Sequence, residues 1–260
     1  MLNIVIPIAG RGQRFTEAGY QMPKPLIPIR GIAMIELVIA NLRPGGPHRF
    51  IFLALREHLE QFDLAGVLGR AAPGCEIIAV DRVTQGAACT VLLARKVIDS
   101  NEPLMIANCD QWVDINIDTY LKSLEDAALD GLIMTMKAGH PKWSYVGMDE
   151  TGRVTRVAEK QVISNEATVG IYNFSRGRDF VGGAQSMIEK NLRVNNEFYV
   201  APVYNELIAR GAKIGIFNVD GAGSGMHGLG VPSDLELFVT HAASIKAADA
   251  ASQKNILGVK

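Results

Sequence analysis

The N-terminal run from Leu2 to Ala9 is almost wholly apolar and stops at Gly10, Arg11 and Gly12. A short β-rich run that ends in glycines is how a buried parallel strand passes into a loop. The pattern recurs along the first half. Arg49 to Leu55, Glu76 to Val80 and Pro103 to Ala107 are further apolar runs, separated by helical segments at Met34 to Leu42, from about Glu57, and at Gly86 to Val97. In the first of these, Met34, Leu37, Val38 and Leu42 fall near helical period. Strands without polar alternation, interleaved with helices, predict an α/β chain with a Rossmann-like, mixed, mostly parallel sheet flanked by helices. Ligands of such open sheets lie beyond the carboxyl ends of the strands. That rule singles out the Gly10 loop, the loop from Asp81 to Gly86, and Asn108 to Asp110.

The second half changes texture, with short strand-like runs at Gly131 to Lys137, Tyr145 to Met148, Val154 to Ala158 and Ala167 to Phe174. Helical patterns follow at about Asp179 to Lys190 and Phe198 to Arg210, and a last helix opens near Val231 with Ser233 or Asp234 as its N-cap. With no linker, repeat or composition break, residues 1–260 read as a single domain with halves at 1–115 and 116–260.

Composition removes several function classes. With 26 Lys+Arg against 27 Asp+Glu and a net charge of -1, no overall field draws in a polyanion, so neither nucleic acid nor an anionic membrane is expected as a partner. The Leu2 to Ala9 run has no basic leader and is far shorter than the ~20 residues of a membrane span. Cys75, Cys89 and Cys109 are odd in number and contain no C-x-x-C pair, which argues against a disulfide framework or a structural zinc and fits a reducing, cytoplasmic setting. The sequence leaves a homo-oligomer open, dimers being the commonest assembly.

Three segments carry candidate chemistry. The glycines of Gly10 to Arg14 let the backbone approach a bulky anion, and Arg11 and Arg14 supply guanidinium forks suited to phosphate, unless they are simply solvated. The loop is no Walker motif, because no Gly-Lys-Ser/Thr follows, and it lacks the third glycine of a dinucleotide fingerprint. Pro23 and Pro25 fix the backbone on both sides of Lys24, so that its ammonium is presented from a stiff loop. Asp110 ends a predicted buried strand, where a carboxylate needs a cation or hydrogen bonds, a helix cap being the competing role. Gln85 carries the donor and acceptor that reading a pyrimidine edge requires, and Gly86 beside it leaves room for a base.

Taken together, the stretch from Ile6 to Phe15, the Pro23 to Ile29 loop and Gly31 to Glu36 resemble the signature of the sugar-1-phosphate pyrophosphorylases, the nucleotidyltransferases that make activated sugars and related compounds. The likeness continues through Thr84 to Ala88, Asn108 to Gln111, Val157 to Lys160, Ala167 to Tyr172 and Asn196 to Phe198. It implies a nucleotidyltransferase or GT-A-like fold with a nucleotide-binding half at 1–115 and an acceptor-binding half at 116–260. The activity implied is transfer of a nucleoside monophosphate from a nucleoside triphosphate to a small phosphorylated acceptor, with Mg²⁺. It assigns Arg14, Lys24 and Lys160 to catalysis, and Ala9, Gly10, Arg11, Gly12, Thr84, Gln85, Gly86 and Asn108 to the nucleotide. Gly147, Glu159, Gly170 and Glu197 go to the acceptor, and Asp110 to the metal.

The sequence also departs from that family. Thymidylyl- and uridylyl-type members carry a second metal aspartate in a Leu-Asp-Thr-Gly-Thr stretch before the last helix, and its place here falls on Gly228. Asp220, His227 and Asp114 are the candidates to replace it. The Gly228-Leu229-Gly230 form resembles the branch associated with capsule and surface-polymer gene products, some of them cytidylyltransferases, which favours CTP over dTTP or UTP. Gln161 stands where the family has a proline after Glu159 and Lys160, a departure from the hexose-binding pattern. His140 to Tyr145 reads as an acceptor-specificity loop or, through Trp143, as a core anchor. A dTTP- or UTP-dependent hexose-1-phosphate enzyme and a non-catalytic nucleotide-binding regulator are the alternatives.

Overall fold

The computed structural model describes residues 1–257 apart from positions 222 and 224, with side chains as far as position 253. The first half runs β1 (Leu2–Ile8), α1 (Gln13–Glu17), a 3-10 turn (Lys24–Leu26), β2 (Pro28–Ile29), β3 (Ile32–Ala33), α2 (Met34–Leu42), β4 (His48–Leu55) and α3 (Arg56–Gln61). It continues with α4 (Leu64–Ala71), β5 (Glu76–Val80), α5 (Ala87–Leu92), α6 (Arg95–Ile98), β6 (Leu104–Ala107), β7 (Gln111–Val113) and α7 (Ile117–Asp126). The second half supplies β8 (Gly131–Lys137), β9 (Ser144–Met148), β10 (Val154–Glu159), β11 (Glu166–Phe174), α8 (Gly177–Glu189) and α9 (Val203–Ile208). It ends with β12 (Ile214–Gly221), β13 (Met226–Gly228), α10 (Pro232–Thr240) and α11 (Ala242–Leu257).

One nine-stranded sheet takes strands from both halves. Strands β5, β4, β1 and β6 lie side by side and parallel. The seam between the halves is antiparallel, Ile171 to Phe174 of β11 pairing with Leu104 to Ala107 of β6. Beyond it β8 and β9 pair antiparallel with β11, while β12 runs parallel to β8. This is the mixed, helix-flanked sheet that the apolar runs predict.

Both faces of the sheet are buried, which is why its strands read as continuous apolar runs. Neighbouring residues of β1 point to opposite sides, Ile4 and Ile6 into a core with Ile35, Phe52 and Tyr120, Val5 into one with Leu53, Phe180 and Tyr204. Each such side chain contributes about 1.5–3 kcal/mol by leaving water. A third cluster, with Phe15, Ile27, Trp112, Leu229 and Phe238, anchors the loops that leave β1 and β6 to the C-terminal helices. It sets where those loops stand relative to each other.

Three sequence expectations require correction. The predicted helix from Gly86 to Val97 breaks into α5 and α6, because Leu93 and Ala94 donate back three residues, to Thr90 and Val91, and tighten the last turn. The one expected from Phe198 begins only at Val203, since Phe198 has its backbone committed to Gln85 and Ala88 and Pro202 has no N–H to give. The helix expected to be the last is α10, with α11 after it, and it is capped by Val231 with Pro232 in its first turn, not by Ser233 or Asp234, which lie inside it. The helix α7 escaped the sequence reading although Asn116 marks its start, its side chain accepting from Asp118 N at 2.9 Å.

Glu166 ties three strands of the second half together. Its carboxylate accepts from Thr135 Oγ1 at 2.9 Å, from Asn218 Nδ2 at 2.6 Å and from Lys137 Nζ. Burial alone would raise its pKa, but the bonds from Lys137, Asn218 and Thr135 outweigh burial and hold it below the usual carboxylate range. A carboxylate more acidic in the native state than in the unfolded chain stabilises fully above its unfolded pKa, about 4.3, and loses that contribution as pH falls through the native value. Urea unfolding of Glu166→Gln should therefore show a loss of roughly 1.5–3 kcal/mol at neutral pH. The gap from the native protein should close in acid. Equal stability at neutral pH would contradict this role.

Candidate active site

The carboxyl ends of β1 and β6 and the loop after β5 open on a cavity of about 630 Å³. Ala9, Gly10, Arg14, Lys24, Thr84, Gly86, Asn108 and Asp110 line its first-half wall, and Glu159, Lys160, Gly170 and Glu197 line the opposite one. Segments far apart in sequence are thus gathered in one place.

Lys24 is held from behind. Its 3-10 turn is closed by Leu26 N donating to Pro23 O at 2.9 Å and Ile27 N to Lys24 O at 3.1 Å. Gly12 caps α1 in the left-handed region, φ 62°, and a Cβ there would stand 3.1 Å from Lys24 Cβ, so a glycine keeps the two loops in contact. From this base Lys24 Nζ donates to Asp110 Oδ2 at 2.8 Å, with the two side chains 20% and 26% exposed. Burial alone would lower the lysine pKa, but the charge and hydrogen bond of Asp110 prevail and hold it above the usual range. Asp110 is fixed in turn by the chain around it, its carbonyl accepting from Leu229 N at 2.7 Å.

The other first-half segments are braced against the second half. Asn108 N donates to Gly170 O at 2.9 Å, and a Cβ on Gly170 (φ 84°) would stand 2.3 Å from Asn108 Nδ2. Phe198 N donates to Gln85 O at 2.8 Å and Ala88 N to Phe198 O at 3.0 Å, closing the Thr84 to Ala88 loop onto the 197–199 segment. Gly86, at φ 125°, lies so close that a Cβ would meet Phe198 N and O at 2.5 Å. Phe198 is buried in the core, while its neighbours Glu197 and Tyr199 line the cavity.

On the second-half wall, Lys160 N donates to Trp143 O at 3.1 Å and Lys160 Nζ to Tyr199 Oη at 2.7 Å. Glu159 accepts from the Ser144 hydroxyl, and burial raises its pKa against that bond. Lys142 Nζ lies 3.6 Å from Asp234 Oδ2 and 4.7 Å from the centre of the Trp143 ring. Trp143 lines the cavity and also packs against the core, as the anchor reading of its segment expects.

Four expected positions stand off the cavity wall. Arg11 is 74% exposed and faces Glu57 at 3.9 Å, because the loop turns it outward. Gly12 lies behind Lys24 and acts through that lysine's backbone. The Gln85 side chain is exposed and only its carbonyl is engaged. Gly147 faces Arg156 across the β9–β10 pair, with Ile163 3.2 Å from where its Cβ would be. None of the three candidates for a second metal carboxylate or ligand lines the cavity either. Asp114 pairs with Lys246 beside a separate pocket, His227 is buried among Trp112, Phe238 and His241, and Asp220 is exposed near the end of β12 at a left-handed φ of 69°. The cavity carboxylate that sequence reasoning passed over is Asp234, read as a cap because it opens a helix. Its Oδ2 lies 3.3 Å from the place of a Cβ on Gly228, while Asp110 Oδ2 is 2.8 Å from that on Gly230. Tyr199 was also missed, although its alternation with Glu197 around an apolar Phe198 was a signal.

Among the described residues no three His, Cys, Asp or Glu side chains converge as a self-sufficient metal site. Asp110 offers one carboxylate, and the bare Gly230 keeps space beside its oxygen. One or two carboxylates with room for water and phosphate oxygens are the donor set Mg²⁺ takes, so these residues fit that ion.

A nucleotidyl transferase family model matches residues 4–196, the span that holds Lys24, Asp110 and Lys160. The chain belongs to that family. Among solved structures, this nucleotidyl transferase is similar to the nucleoside-diphosphate-sugar pyrophosphorylase from Vibrio cholerae, at 24% identity and a TM-score of 0.75 over 92% of this chain and 100% of that one. It is also similar to the inositol-1-phosphate CTP transferase of T. maritima, at 15% identity and 0.69 over 96% and 95%. For a UDP-glucose pyrophosphorylase complexed with UDP-glucose, the values are 17% and 0.71 over 98% and 99%. At these identities the likeness is one of fold.

The Gly86–Phe198 contact yields a direct test. Gly86→Ala forces a Cβ into the Phe198 backbone, which should cost about 1–3 kcal/mol in urea unfolding and shift Glu197 and Tyr199 across the cavity. Unchanged stability would show that the contact yields without cost.

Proposed function

We propose that the protein transfers a nucleoside monophosphate from a nucleoside triphosphate, CTP before UTP or dTTP, to the phosphate of a sugar phosphate or other small phosphorylated acceptor, releasing pyrophosphate. The observation that carries this reading is the Lys24–Asp110 pair, set in one cavity with a second lysine, Lys160, on the opposite wall. Such a pair is compensated at rest and has something to offer each part of a metal–triphosphate complex. The preference for CTP rests on the Gly228 to Gly230 resemblance, and a T. maritima relative named for CTP shares the fold.

In this reading the Gly10 loop and Arg14 take the leaving pyrophosphate, and Lys24 swings from Asp110 to the α-phosphate. The triphosphate's base lies against Thr84 and Gly86. Lys160 orients the acceptor's phosphate, and Glu159 and Glu197 receive its hydroxyl or other donor groups. A phosphate monoester with a second pKa of about 6 is mostly ionised at neutral pH, so the attacking oxygen needs no general base. Positioning and charge neutralisation supply the rate enhancement. Asp110 would hold Mg²⁺, with Asp234 as the second carboxylate in place of the aspartate that Gly228 lacks. When bound, the ion neutralises charge on the triphosphate oxygens.

Two measurements follow. In a thermal-shift panel of CTP, UTP, dTTP, ATP and GTP with Mg²⁺, CTP near 100 times its Kd should add about 2.7 kcal/mol, a rise of roughly 5 °C or more. A shift with none of them would overturn the proposal. Lys24→Ala should keep its fold and lose pyrophosphate release by roughly 100-fold or more. Full activity in that variant would remove Lys24 from the mechanism.

A further inference from the structure

Among the described residues three lysines line the cavity, and they are held in two different ways. Lys24 is paired with Asp110 and Lys142 with Asp234, so each of their charges already faces a carboxylate. Lys160 is held by a phenol. Its Nζ donates to Tyr199 Oη at 2.7 Å and lies 4.8 Å from the centre of the Tyr199 ring, and no carboxylate among the described residues is within ion-pair distance. Its main chain is fixed as well, at a left-handed φ of 53° with its N–H on Trp143 O. Lys160 is thus pinned at both ends, and Glu159 acts on its charge only from beyond ion-pair distance.

We infer that Tyr199 is a positioning residue, which holds the Lys160 ammonium in place through a neutral oxygen so that the acceptor's phosphate meets a preorganised cation. The inference rests on the proposed role of Lys160 and adds to it a residue from another segment. A phenol oxygen takes one of the three ammonium donors and leaves two, with the full positive charge, for a phosphate. A carboxylate at the same place would compete with the phosphate. Burial, followed by the Glu197 and Glu159 carboxylates, pushes the Tyr199 phenol above its usual pKa, so it stays a neutral acceptor. Tyr199 is itself set by the Phe198 main chain, whose two hydrogen bonds to the Gln85 and Ala88 backbone fix the segment. The lysine that meets the acceptor is therefore aligned from the loop that meets the base.

The test uses the full chain and inorganic phosphate as the probe. Acetic anhydride labelling read by peptide mass spectrometry follows Lys160 and Lys24 separately, and phosphate should protect Lys160 in a saturable way in the native protein. Tyr199→Phe keeps the ring and removes only the oxygen. It should raise the half-protecting phosphate concentration roughly three- to tenfold, the net value of one ordinary intramolecular hydrogen bond. Lys24 labelling, the thermal midpoint and the thermal shift with CTP should stay as in the native protein, which separates positioning from a general structural effect. Equal phosphate protection of Lys160 in Tyr199→Phe and native protein would overturn the positioning role alone. No protection in the native protein would overturn the acceptor role of Lys160, and with it the inference built on it.

Discussion

A partly buried charge needs a partner, and the site is arranged around one pair that satisfies this need at rest. Lys24 and Asp110 come from loops 86 positions apart and meet at 2.8 Å. Removing either would leave the other uncompensated in a half-buried place, a loss larger than the net value of the pair itself. The scaffold behind them exists to bring the two loops together. Gly12 and the proline-flanked turn set Lys24, the end of β6 and the Leu229 hydrogen bond set Asp110, and the cluster around Phe15, Trp112 and Phe238 holds both loops to the C-terminal helices.

The same logic extends across the sheet. The halves are not joined by a flexible connection but by β6 against β11 and by the clasp between the Thr84 to Ala88 loop and Phe198. At both joints a glycine, Gly170 or Gly86, removes the one carbon that would prevent contact. Residues on the two walls of the cavity are therefore fixed relative to each other, and preorganisation of that kind is what the proposed transfer, with no general base, would require.

Much of this was legible in the sequence, and the reasons differ by element. Buried parallel strands announce themselves because both faces are apolar, so β1, β4, β5 and β6 could be read almost to the residue. Lys24 stood out because two prolines are a local signal. Asp234 and Tyr199 did not, since their roles depend on where α10 and the 197–199 segment come to rest, and nothing local distinguishes a cap from a cavity carboxylate. The reverse error befell Gln85 and Arg11. Their chemistry suits a nucleotide, but a local argument fixes the type of side chain and not its direction, and here both are directed to solvent. Gly228 shows a third case, a motif position emptied of its side chain while a neighbouring helix brings a carboxylate to the same space.

In the proposed reaction Lys24 would leave Asp110 for the triphosphate, and the Asp110 carboxylate would be free to hold a divalent cation. Isothermal titration of CTP into the native protein and into Asp110→Asn, each with and without Mg²⁺, measures that exchange without needing the acceptor. Mg²⁺ should tighten binding by roughly tenfold or more in the native protein, at least about 1.4 kcal/mol, and by little in the variant. An equal gain from Mg²⁺ in both proteins would contradict it.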